Sequence, residues 1–177
     1  MSSFFSLNPK NIRASVYGAN DGIITTFAVV AGVAGAGLAP QIVIILGISN
    51  MIADGLSMGL SDYLGERSEQ RMKKHLQEKY ADEHLWQTGV ITFTSFVIAG
   101  TFPMLPYFLG MFLGGMTGTN QFLYSIICTA LVMFFVGALR TLAIGGSYIR
   151  NGLEMLFIGT LAATVAYFVG STIESMM

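Results

Sequence analysis

Charge is what this chain most lacks. Only 11% of its 177 residues are Asp, Glu, Lys or Arg, against about 25% in the average soluble domain, and 53% are apolar. A single cysteine, Cys128, leaves no disulfide framework and no Cys-based metal site. The net charge of −1 and the lack of a basic patch with aromatics interleaved give no reason to expect nucleic acid. Met1 to Arg13 has no compact apolar core followed by small residues, so no cleavable signal peptide is expected. The shortage is most extreme from His84 to Leu139, where no Asp, Glu, Lys or Arg occurs. A membrane span needs about 20 apolar residues, so this run alone holds two spans and a turn.

Read along its length, the chain divides into five apolar segments, at approximately 16–37, 41–64, 87–109, 121–139 and 152–173. The expected fold is all-α: one transmembrane domain over 1–177 with five helices and a polar loop at 65–86. Asn8-Pro9 suits a helix start, with Asn as N-cap and Pro in the first turn. Gly37-Leu-Ala-Pro40 suits a turn, and so do Gly114-Gly-Met-Thr-Gly-Thr-Asn and Gly145-Gly-Ser. Pro103 and Pro106 are expected to break the regularity of the third helix near its far end. With the N-terminus cytosolic, all nine Lys and Arg fall on the inner side, as the positive-inside rule asks; the C-terminus then lies on the opposite side. Gly18-x-x-x-Gly22, Gly55-x-x-x-Gly59 and Gly110-x-x-x-Gly114 permit close helix approach.

Two carboxylates stand inside spans. Asp21 lies in the first and Asp54 in the second, and a carboxylate near mid-membrane costs roughly 2.5–3.5 kcal/mol on insertion scales. Each therefore needs a partner, a cavity or a substrate path. At 100° per residue, Asp54, Met58, Asp62, Glu66 and Glu69 fall at about 0°, 40°, 80°, 120° and 60°, a stripe covering about 22 Å of axis; Asn50 and Met51 extend it outward. Carboxylates suit hard divalent ions and a thioether favours softer ones, so an Asp and Met site leans toward Fe²⁺ or Mn²⁺. Methionine is equally the ordinary gap-filler of apolar cores, and Asp62, Glu66 and Glu69 could simply form a solvated face. A carboxyl removed from water holds a proton tightly until a bound cation displaces it, which offers a route to proton exchange.

Asn20-Asp21-Gly22 with Phe27-Ala-Val-Val-Ala-Gly, and Leu56-Ser-Met58-Gly-Leu-Ser-Asp-Tyr-Leu-Gly-Glu, resemble the vacuolar iron transporter family. Gly100-Thr-Phe-Pro-Met-Leu-Pro-Tyr-Phe and Gly159-Thr-Leu-Ala-Ala-Thr-Val-Ala-Tyr-Phe-Val-Gly extend the likeness from Val16 to near the end. The resemblance implies a five-helix homodimer with its path near the two-fold axis, lined by the first two helices of each protomer. It also implies proton-coupled export of Fe²⁺, often also Mn²⁺, as substrate, with no resident cofactor, and it matches the family's intramembrane Asp and Met to Asp21 and Met58. Plant members carry a cytosolic Glu- and Met-rich domain after the second helix, and only about twenty residues stand there in this chain. Lys10 and Ala14 stand near the place of an acidic pair on the family's first helix. Glu66, Glu69, Glu78, Asp82, Glu83, His75 and His84 remain for cytosolic capture. The short form is expected in a prokaryotic cell membrane, with a vacuolar membrane as the alternative. Other readings are a passive divalent cation channel and a membrane scaffold or partner subunit. An intramembrane aspartyl protease is disfavoured, since the Gly-x-Gly-Asp signature of one such family is missing.

Overall fold

Five helices in up-and-down order account for a computed structural model that describes residues 9–76, 85–113, 117–141 and 145–177. They are α1 (Pro9–Gly35), α2 (Pro40–His75), α3 (Trp86–Leu113), α4 (Gly118–Leu139) and α5 (Tyr148–Met176). Each is long and apolar enough to cross a membrane, and no strand occurs among the described residues. Asn8, Glu78, Lys79, Asp82, Glu83, His84 and Gly114 lie outside the described residues.

The α1–α2 turn is set by its sequence. Gly37 takes φ +62°, a conformation glycine adopts without a Cβ penalty. Gly37 N–H then donates to the Ala34 carbonyl at 3.1 Å and Leu38 N–H to Val33 at 3.2 Å, the paired bonds of a Schellman ending. Pro40 opens α2 straight afterwards, where its missing N–H costs nothing. With 36 residues, α2 is about 54 Å long, well beyond the ~30 Å hydrocarbon core. Its last turns carry Glu66 to His75 as a helical extension.

Polarity is turned inside out relative to a soluble bundle. Thr26, Thr92, Ser125, Thr129 and Gln121 are buried, whereas Leu131, Phe135, Phe157, Leu161 and Phe168 face outward. Lipid supplies no drive to bury leucine, so close packing and interhelical hydrogen bonds hold such bundles together. Helix α1 touches the other four and packs most extensively on α3. Gly18 and Gly22 rest on the α3 backbone at Thr92 and Phe96, and Gly59 and Gly89 bring α2 and α3 together. The first two glycine motifs thus serve packing within one protomer.

The two prolines disturb α3 without ending it. Helix α3 runs unbroken through Pro103 and Pro106. Pro106 leaves the Phe102 carbonyl without its N–H donor, and Cys128 of α4 supplies its thiol to that oxygen at 3.6 Å. Ser125 Oγ donates to the Pro103 carbonyl at 2.6 Å. A neighbouring side chain can re-satisfy backbone freed by a membrane proline, as Cys128 does at Phe102; the Pro103 carbonyl still has the Tyr107 N–H in register, so the Ser125 bond is an added tie between α3 and α4.

The basic residues gather at one end. Gly32 of α1 meets Gly170 of α5, and on these parallel helices Lys10 and Arg150 each lie about 30 Å back from that contact. The ion pair of Lys10 with Glu66 brings the α2 extension to the same end.

Candidate functional site

The α1–α2 hairpin brings the two intramembrane carboxylates together. Asp21 and Asp54 are both half-buried, and they lie close enough for the charge of Asp54 to act on Asp21. Asn50 Nδ2 donates to Asp54 Oδ2 at 2.6 Å, one turn outward on the same helix face, and so fixes that carboxylate's orientation. Asn20 Oδ1, beside Asp21 in sequence, is buried without a hydrogen-bond partner. Met58 is half-buried one turn inward from Asp54. Met51 departs from the expected stripe: it is buried against α3, where Thr101 Oγ1 approaches its sulfur at 3.9 Å.

Further inward the remaining carboxylates have cationic or hydroxyl partners. Thr92 Oγ1, on α3, donates to Asp62 Oδ2 at 2.6 Å. Lys10 Nζ, on α1, lies 2.6 Å from Glu66 Oε2. Lys73 Nζ lies 2.5 Å from Glu69 Oε1 within α2. The hydrogen bond and charge of Lys73, then the charges of Lys10 and Arg13, hold the Glu69 carboxyl below its usual range. His75 is exposed at the end of α2. Between α1, α2 and α3 lies a cavity of about 170 Å³ walled by Lys10, Arg13, Tyr17, Asp62, Glu66 and Thr88.

This arrangement sets two carboxylates within reach of each other's charge at mid-helix, with further carboxylates toward the charged end. It does not complete a coordination sphere within one chain, since no cluster of three His, Cys, Asp or Glu occurs among the described residues. The approach also contains groups that composition and spacing did not single out, namely Thr92, Tyr17 and the cation Lys10. A readable signal existed for Lys10. Across an antiparallel helical hairpin, residues equally far from the turn face each other, and Lys10 and Glu66 each stand 28 residues from Leu38. Asp21 and Asp54 stand 17 and 16 residues from it.

Comparison with known proteins places this geometry in context. Residues 12–85 and 70–171 match the profile of the VIT family, the two matched stretches sharing the polar end of α2 and the loop after it. The chain is 25% identical to the vacuolar iron transporter of Plasmodium falciparum, over 96% of this chain and 85% of that protein. It is 25% identical to the vacuolar iron transporter of Toxoplasma gondii, over 92% of this chain and 74% of that protein. With vacuolar iron transporter 1 of Arabidopsis thaliana the identity is 24%, over 92% of this chain and 86% of that protein.

Proposed function

The chain belongs to the VIT family, and from that premise we propose that it is a multi-pass membrane transporter, not an enzyme, that exports Fe²⁺, Mn²⁺ or both from the cytosol in exchange for protons. The observation that carries this reading is that Asp21 on α1 and Asp54 on α2, both half-buried, lie within reach of each other's charge. Two carboxylates brought together inside an apolar bundle repel each other when both are ionised. A divalent cation relieves that repulsion, and protons replace it when it leaves.

Asp21, Asp54 and Met58 are the intramembrane ligands in this reading, and Asp62, Glu66 and Glu69 form the approach. A second copy of the chain completes the site. One protomer supplies too few ligands for a divalent ion that takes about six, and two-fold pairing doubles every one of them. Ser49, Ala53, Ser57 and Ser61 recur every four residues on α2 and are all exposed in the single chain; small residues at this spacing let two helices approach closely. The end that gathers the basic residues is the cytosolic one by the positive-inside rule. That places the N-terminus inside and the C-terminus outside. The membrane is that of a prokaryotic cell in this reading, on the strength of the short polar loop, with the vacuolar membrane named by the relatives as the alternative.

The test is uptake of Fe²⁺ and Mn²⁺ into proteoliposomes with an acidic lumen, with lumenal pH followed alongside. Uptake with matched alkalinisation, abolished by Asp21→Ala and reduced at least tenfold by Asp54→Asn, is the expected result. Metal flux indifferent to the pH gradient would replace exchange with a passive channel. No flux of either metal by the wild type would refute transport of these ions.

A further inference from the structure

The mouth of the α1–α2 path already holds a cation. Lys10 Nζ sits 2.6 Å from Glu66 Oε2, and the Glu66 side chain is only 14% exposed. An ammonium is a compact point charge on a flexible stem. Here it occupies the carboxylate that an ion arriving from the charged end meets before Asp62, one turn deeper in the same cavity. The cavity wall carries Lys10 and Arg13 against Asp62 and Glu66, so its described charges balance only while the ammonium is in place.

A structural staple would explain the pair if α1 and α2 depended on it, but they are positioned by other means. Gly18 is seated on the Thr92 backbone and Gly59 on Gly89, which fixes both helices against α3 at this level. A part-exposed ion pair adds only about 0–1 kcal/mol to that.

We propose that Lys10 is a tethered competitor for the metal: it sets the concentration of divalent cation needed to displace it from Glu66 and open the cavity to Asp62. The inference rests on the reading of this path as a cation path and adds a residue that sets its threshold. A free divalent ion carries twice the charge of the ammonium it replaces, so it wins at high concentration, whereas monovalent ions do not. Removing the ammonium changes the charge of the cavity by one unit. At about 6 Å and the dielectric of water, that unit alters the affinity for a divalent ion roughly tenfold.

The experiment measures Mn²⁺ uptake into proteoliposomes and, separately, equilibrium Mn²⁺ binding by the detergent-solubilised full chain, for wild type, Lys10→Gln and Lys10→Arg. Lys10→Gln is expected to lower KM and the binding constant roughly tenfold, with the gain in KM and not in maximal rate, while Lys10→Arg stays within about threefold of wild type. A second arm uses Lys10→Cys in a Cys128→Ser background. Attaching an aminoethyl group through a disulfide restores an ammonium to the folded protein and should return KM to the wild-type value, whereas a methylthio group should not.

Unchanged or raised KM in Lys10→Gln, or equal effects of the two thiol reagents, would overturn the proposal while leaving transport intact. A wild type that neither binds nor moves Mn²⁺ would overturn it together with the transport reading. If the wild type binds without moving the ion, the binding arm alone decides.

Discussion

Placing a methyl group at Gly22 tests whether the seating of α1 on α3 is as tight as the structure makes it. A Cβ there would meet the carbonyl oxygen of Phe96 first and would lie 2.9 Å from both the carbonyl carbon and the Cα of that residue, where ordinary contact begins at 3.4 Å. The two helices must therefore part locally by more than the half ångström that the carbon contacts alone would require, since none of these obstacles is a movable side chain. Gly18, one turn away, is seated on Thr92 in the same manner, so α1 cannot relieve the clash by pivoting about that point. Overpacking of this kind costs roughly 1–3 kcal/mol, set against a gain of up to about 1 kcal/mol for alanine over glycine in a helix. Gly65 provides the internal reference, because a Cβ there meets nothing within 4 Å. Gly65→Ala should collect the propensity gain alone. The difference between the two variants then isolates the steric part, expected at about 1–3 kcal/mol. Reversible unfolding by SDS titration in mixed micelles, followed by helical circular dichroism, measures it. Equal shifts of the same sign in both variants would refute the tight seating. Because Asp21 precedes Gly22, loss of Mn²⁺ uptake should accompany the loss of stability.

Three further outcomes are expected. Thr92→Val removes the hydroxyl that serves the Asp62 carboxylate, and hydrogen bonds to charged groups are worth about 1.5–3 kcal/mol; the low end applies, since the adjoining cavity admits water, and the same SDS titration reads it. Cys128→Val leaves the Phe102 carbonyl without the thiol and should cost up to about 1 kcal/mol. In a Pro106→Ala background, where the backbone N–H returns, the cost should vanish, and a double-mutant cycle reports the difference. Glu69 has its folded pKa depressed by Lys73, so its contribution to stability is complete above the unfolded carboxyl value and is lost as pH falls through the lower folded value. Carboxyl NMR titration should find that value moving upward in Lys73→Met.

Five helices were legible because each is an apolar run bounded by glycine, proline or charge, and the α1–α2 turn was legible because Gly37 and Pro40 constrain their own backbone. Properties that depend on a neighbour were not. The irregularity at the prolines of α3 was legible, but its repair was not, because the thiol that serves the Phe102 carbonyl comes from Cys128, on a helix more than twenty residues later. Met51 falls within the carboxylate stripe by angle alone, yet α3 claims it through Gly100 and Thr101. A helical wheel gives the direction of a side chain and not what stands in that direction. The meeting of Asp21 with Asp54 follows from the hairpin once the turn is fixed at Leu38, as does the pairing of Lys10 with Glu66.

The glycine contacts of α1, α2 and α3 have a kinetic consequence. Backbones already in contact at Gly18, Gly22 and Gly59 cannot move closer, and moving apart forfeits the dispersion that holds them. Collective helix motions, which take microseconds to milliseconds, are thus suppressed around the carboxylates, whereas rotamer changes of an exposed side chain take picoseconds to nanoseconds. Access to Asp62 is then governed by fast motion of Lys10 and Tyr17 rather than by rocking within a protomer. Turnover should be limited by how slowly the ion sheds its water and leaves its ligands, so swapping the ion ought to change the maximal rate more than stiffening the bundle does.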